Sequence, residues 1–169
     1  LACQAGKDVF VEKPFSLTIR EGRAMVEAAR RHKRIVMPGT QHRSAPHIAE
    51  AAKMVQSGYV GEVHLVRSWN SGNVTPNRIP KEPPSDPPPG LDWDFFLGPS
   101  PKVPYTRTRY YNYRMFYAYS GGYITDFGNH RIDSILQITN ATAPLTVAAS
   151  GGKFAKANDG DIPDLLQVT

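Results

Sequence analysis

Two short apolar runs, Val9-Phe10-Val11 and Ile35-Val36-Met37, bracket a stretch that opens with a helix-start signal. That spacing restricts the beginning of the chain to a strand, a helix and a second strand. Thr18 followed by Glu21 makes a capping box, in which each side chain satisfies a backbone N–H at the other position. Ile19, Met25, Val26 and Ala29 supply the side of this helix expected to be buried. Before the first run, Gly6-Lys7-Asp8 reads as a helix stop and a turn. An unbroken apolar strand emerging from a helix is the pattern of a parallel sheet, whose ligands gather beyond the carboxyl ends of the strands. Glu12-Lys13-Pro14 stands at that end. Lys13 is a cation joined to a residue that can adopt the cis peptide form, which would fix the lysine's direction. A surface lysine before a helix-starting proline is the plainer alternative.

A second polar cluster lies in the stretch from Gly121 to Gln137. Its apolar residues, Ile124, Phe127, Ile132, Ile135 and Leu136, approach the spacing of a helix with one buried stripe. Asp126, His130, Asp133 and Gln137 fall on a different face. Four residues of helix advance about 6 Å and return to nearly the same side, so the Asp126 and His130 side chains are neighbours. A carboxylate in that position can orient an imidazole and stabilise its protonated form. A solvated helix face is the competing reading. Gly121-Gly122 and Gly128 favour close packing against the helix backbone.

Elsewhere, Ser44-Ala45-Pro46 starts a further helix that Ser57-Gly58 ends, and Glu62 to Trp69 alternates imperfectly as a strand of an antiparallel sheet. His64 is expected on the surface of that sheet. Most of the fifteen prolines fall between Val74 and Pro104, which rules out a central strand or a long helix there. Within that segment Leu91-Asp92-Trp93-Asp94-Phe95-Phe96-Leu97-Gly98-Pro99 is dense in aromatics, and Trp93 reads as a buried anchor or a ligand contact. Tyr105 to Tyr119 holds six tyrosines interleaved with Arg107, Arg109 and Arg114, a mixture that suits either a sugar or cofactor site or a subunit interface. Leu165 to Thr169 reads as a strand.

The formal charge of +5 comes partly from Arg30-Arg31-His32-Lys33-Arg34, where cations close a helix and complement its dipole. Without a recognised binding module, this charge does not argue for nucleic acid. A single cysteine, Cys3, excludes an internal disulfide and offers no metal-ligand cluster. No apolar run reaches the roughly 18 residues of a membrane span.

Taken in order, "AGKDVFVEKPFSLT", a helix, "RIVMPGTQHR", a helix, "QSGYVGEVHLVRSW" and "SGGYITDFGNHRIDSILQ" make the chain resemble the glucose-fructose oxidoreductase/inositol dehydrogenase/rhizopine catabolism family of NAD(P)-dependent oxidoreductases. The resemblance implies an α/β chain: the carboxyl-terminal remnant of a Rossmann domain over 1–40, then an α+β domain over 41–169 with a mostly antiparallel open sheet and a proline-rich insertion at 74–104. Both domains are expected to be incomplete, since the sequence contains no G-x-G-x-x-G and reads as an internal piece, inactive in isolation. The expected activity is hydride transfer between NAD or NADP and a secondary alcohol of a sugar or cyclitol-like substrate.

The same resemblance assigns catalysis to Lys13, Asp126 and His130, and cofactor contacts to Glu12, Lys13, Pro14, Gln41 and Arg114. Lys13, Asp126, His130 and Tyr113 would touch substrate. Tyr113-Arg114 stands where relatives carry Trp-Arg. Arg43 shares the loop with Gln41 and is assigned either ligand contact or solvation, whereas His42 and His47 are expected to be solvated. No resident metal, nucleic acid or membrane partner is expected, and the complete protein is expected to be a cytoplasmic homo-oligomer. Two other classes stay open at this point: a metal-dependent hydrolase or lyase using Asp126 and His130, and a catalytically silent scaffold.

Overall fold

The computed structural model describes residues 1–70, 79–154 and 159–169. The chain divides into two compact units, one formed by Leu1–Ser68 with Thr125–Ala143 and the other by Trp69–Ile124 with Pro144–Thr169.

In the first unit a helical turn ends at Gly6, whose φ of +72° suits glycine. The Gly6 and Lys7 N–H groups close it onto the Cys3 and Ala2 carbonyls, the paired bonds of a Schellman stop. Strand β1 (Val9–Val11) follows and pairs in parallel with β2 (Val36–Pro38). Helix α1 (Ile19–Arg31) connects them and starts on the Thr18/Glu21 capping box. The expected strand, helix and strand are all present. The buried side of α1 is not: Ile19 and Val26 are exposed, and no residue of the helix is fully buried.

Beyond β2, a 3₁₀ turn (Gln41–Ser44) leads into α2 (Pro46–Gln56), with proline in its first turn and Gly58 just past its end at φ +79°. The Glu62–Trp69 stretch forms no strand, contrary to its alternation. Its residues are exposed, and a strand exists only where a neighbouring backbone supplies hydrogen-bond partners. His64 is accordingly exposed, but on irregular chain. The long helix α5 (Tyr123–Thr139) completes the unit, and its sidedness departs from the apolar-stripe expectation: Ile124, Ile135 and Leu136 are only half-buried. His130 is 6% exposed, whereas Phe127 and Ile132 are 43% and 48% exposed. Directed polar partners on the loops after β1 and β2 hold the polar face inward.

The second unit is built around aromatic side chains. Short helices α3 (Trp93–Leu97) and α4 (Arg107–Tyr111) precede a 3₁₀ turn at Tyr113–Met115. Trp93, Leu97 and Tyr105 form one core cluster, and Ile79, Met115 and Phe116 another. Trp93 stacks on Phe96 and donates its indole N–H to the Val103 carbonyl at 2.8 Å, so it is the buried anchor of the proline-rich segment. Positions 74–78 of that segment lie outside the described residues. Strands β3 (Ala149–Gly152) and β4 (Leu165–Val168) make a small antiparallel sheet. No described helix is long and apolar enough to cross a membrane.

Removing the Trp93 anchor by Trp93→Ala is expected to destabilise the protein by about 3–5 kcal/mol, the usual cost of emptying a buried aromatic site. Urea unfolding followed by tyrosine fluorescence would measure it, and a loss below about 1 kcal/mol would show that the cluster is not a core.

Candidate active site

Parallel pairing of β1 with β2 brings the chain segments that follow each strand to the same end of the sheet. Glu12 and Lys13 leave β1 there. Gly39, Thr40 and the Gln41–Ser44 turn leave β2, with the Gly39 N–H bonded to the Val11 carbonyl at 2.8 Å. Gly39 is buried, and a methyl group at its Cα would come within 2.9 Å of Glu12 Oε2 and 3.3 Å of Glu12 Cα. The absent side chain lets the Glu12 carboxylate lie against the backbone of the second loop.

Helix α5 supplies the third wall. Asp126 lies in its first turn, where the helix dipole favours an anion. The Lys13 ammonium pairs with Asp126 Oδ1 and also donates to the Asp126 backbone carbonyl at 3.2 Å. Both side chains are largely withdrawn from water. One turn later, His130 is buried, with its ring 4.7 Å from that of His42, centroid to centroid, and the planes inclined by 33°. A further turn on, Asp133 accepts from Arg43 Nε at 2.6 Å. Gln137 Nε2 donates to the Arg43 carbonyl at 3.2 Å. Four successive turns of one helix face thus meet the two strand-end loops.

Burial is the main cause that holds the His130 imidazole below its ordinary pKa, and the charges of Lys13 and then His42 act in the same direction against the pull of Asp126 and Asp133. The ring is therefore neutral near pH 7. Its Nδ1 is buried without a hydrogen-bond partner, as are Asp133 Oδ2 and Gln137 Oε1. A neutral imidazole can accept a proton, and an adjacent ammonium can polarise an oxygen. This arrangement can perform general acid–base chemistry on a hydroxyl or carbonyl.

Of the residues singled out in the sequence, Glu12, Lys13, Asp126 and His130 are gathered in this unit. The Lys13–Pro14 peptide is cis, and Pro14 itself is exposed. Gln41 begins the 3₁₀ turn and is exposed. Tyr113 and Arg114 belong to the second unit, where the Arg114 guanidinium lies 4.6 Å over the Tyr113 ring. His42 is a correction: it was expected to be solvated, yet it packs on the His130 ring. Its place just past a parallel strand was the available signal, because that position is where ligands and their supporting residues collect. Arg43 is exposed and at the same time pairs with Asp133 of α5.

Comparison with known proteins matches residues 1–40 to the description "Oxidoreductase family, NAD-binding Rossmann fold" and residues 48–165 to "Oxidoreductase family, C-terminal alpha/beta domain". The chain is similar to the inositol 2-dehydrogenase of Rhizobium meliloti (strain 1021), 34% identical over 83 residues, which is 49% of this chain and 23% of that protein. It is also similar to oxidoreductase YrbE of Bacillus subtilis (strain 168), 30% identical over 76 residues, covering 45% of this chain and 22% of the relative. Among solved structures, GenD2 from gentamicin A biosynthesis, in complex with NAD, shares the fold with a TM-score of 0.60 at 19% identity. That alignment covers 99% of this chain and 38% of GenD2. The matches therefore span under a quarter of these curated relatives and about two fifths of the solved chain.

Depression of the His130 pKa has a direct consequence for stability. Unfolded, the imidazole binds a proton below about pH 6.5, whereas the folded protein resists it until lower pH. The unfolded state then carries more protons, so stability is full above that pH and falls as pH drops towards the folded-state pKa. Urea titrations between about pH 7 and 5 are expected to show this decline, and His130→Gln to reduce its slope.

Proposed function

The chain belongs to the glucose-fructose oxidoreductase/inositol dehydrogenase/rhizopine catabolism family of oxidoreductases, and on that premise we propose the reaction of the complete protein. It oxidises a secondary alcohol of a sugar or cyclitol-like polyol, reversibly, with NAD or NADP as hydride acceptor. The observation that carries this reading is the ammonium of Lys13, the carboxylate of Asp126 and the imidazole of His130 meeting at the carboxyl ends of parallel strands.

The residues present fit the nicotinamide end of such a cofactor. Gly39 keeps the loop after β2 clear of a side chain, Glu12 lies beside it, and a buried His130 nitrogen lacks a partner. Glu12, Lys13, Pro14 and Gln41 would hold this end, with Arg114 assigned to it by resemblance alone. Residues for the pyrophosphate are not offered by this sequence, which has no G-x-G-x-x-G. When bound, the nicotinamide takes the hydride that leaves the carbinol carbon.

His130 removes the hydroxyl proton in the direction of oxidation and returns it in reduction. Its lowered pKa keeps it unprotonated and ready at neutral pH. Lys13 donates a hydrogen bond to the reacting oxygen and offsets the negative charge that grows there. Asp126 holds Lys13 in place and contacts substrate hydroxyls, whereas Tyr113 is assigned to substrate by resemblance alone. Lys13 is ion-paired with Asp126, a geometry that suits a hydrogen-bond donor to the reacting oxygen. The same reading divides the chain near residue 40 into cofactor and substrate domains. Among the described residues no group of three or more His, Cys, Asp or Glu is arranged to hold a metal ion, so no observation favours the hydrolase alternative.

In the complete protein, His130→Ala is expected to lower kcat by about 10²–10⁴ while leaving NAD(P) affinity nearly unchanged, because general base catalysis contributes on that scale. Lys13→Ala is expected to fall by a similar factor through loss of oxyanion stabilisation. Steady-state rates on a panel of cyclitols and sugars, alongside cofactor titration by fluorescence, would measure both. Unchanged turnover in either variant with cofactor bound would sink the assignment. Gly39→Ala, which pushes on the Glu12 side chain and its backbone, is expected to weaken cofactor binding about tenfold in the same titration.

A further inference from the structure

The buried imidazole of a general base is ordinarily held by a hydrogen bond from the ring nitrogen that does not react. In this chain His130 Nδ1 has no such partner, and the carboxylates one turn to either side on its helix face, Asp126 and Asp133, are paired with Lys13 and Arg43. Something else must set the ring's orientation. The His42 ring packs against it in a tilted arrangement, 4.7 Å between centroids with the planes inclined by 33°. His42 is itself half-buried and is fixed by its neighbours. The 3₁₀ turn that carries it is tied to α5 by the Arg43–Asp133 ion pair and by Gln137 bonded to the Arg43 carbonyl.

We infer that His42 is the positioning residue of this site: its imidazole face, presented by the loop after β2, holds the His130 ring at the angle at which it exchanges a proton with substrate. This rests on the reading of His130 as the base. Every charged or titratable group brought against His130 bears on its proton. Lys13 comes from the loop after β1, His42 from the loop after β2, and Asp126 and Asp133 from α5, with Arg43 set against Asp133. Of these, His42 is the one whose ring packs against it. It thus joins two functions that a phenyl ring and a charge would serve separately, namely steric support and repulsion of a second proton.

The test uses the complete protein with His42→Ala and His42→Phe. In His42→Ala, kcat is expected to fall roughly ten- to a hundredfold with cofactor affinity unchanged, the scale of a misplaced catalytic group. Phenylalanine restores the packing face, so His42→Phe is expected to recover most of that loss at alkaline pH. Both variants should move the acid limb of the kcat profile, and the titration of the His130 ring followed by NMR, to higher pH, because the neighbouring positive charge is gone. The NMR titration needs no turnover and so separates this inference from the dehydrogenase reading. An unmoved His130 titration in both variants, or a phenylalanine variant as slow as the alanine one, would overturn it.

Discussion

One ion pair organises the first unit: the ammonium of Lys13 against the carboxylate of Asp126, contributed by residues 113 positions apart. An exposed pair contributes roughly 0–1 kcal/mol and a fully buried one can cost several to break, and this pair lies between those limits. Its greater effect is on geometry. It fixes where the first turn of α5 meets the end of β1, and every later turn of that helix face follows from the anchor. His130 reaches the His42 ring, Asp133 reaches Arg43, and Gln137 reaches the Arg43 backbone. The helix dipole adds to the arrangement by favouring the anion at its amino end.

The site shows a division of labour among groups of similar chemistry. Two carboxylates on one helix, Asp126 and Asp133, each meet a cation from a different loop. The imidazole between them feels both anions, yet burial and the charges of Lys13 and His42 prevail, and it remains neutral. Neutrality is what a proton acceptor requires. The polar atoms left without partners inside this face are a cost that a well-packed structural helix would avoid, and such exceptions concentrate where a ligand is to supply the missing bond.

Local structure is legible in the sequence. The capping box at Thr18, the proline start of α2, the glycine stops at Gly6 and Gly58, and the two parallel strands all follow from rules that act within a few residues. The grouping of Asp126 with His130 was equally legible, since helical periodicity alone makes them neighbours. What periodicity could not supply was the sense of the face. Apolar spacing suggested that Ile132 and Phe127 turn inward, but ion pairs with side chains far away in sequence turned the polar face inward instead. His42 was missed for the same reason, because its partner lies on an element reached only after the second unit has been traversed. The alternation at Glu62–Trp69 met the opposite difficulty, for a strand is a property of two backbones and the pattern describes only one.

Because the first unit is discontinuous, the face where Lys13, Asp126 and His130 gather is made in two instalments during synthesis. The segment through residue 68 leaves the ribosome with Lys13 lacking its counter-ion, and the intervening chain, with its own aromatic clusters, must emerge before α5 can return. At about 5–20 residues per second that wait lasts several seconds, which is long compared with the folding of a helix or a small core. Nascent chains stalled before residue 125 therefore lack the helix face that pairs with Lys13 and Arg43, and those contacts form only after the returning helix has docked.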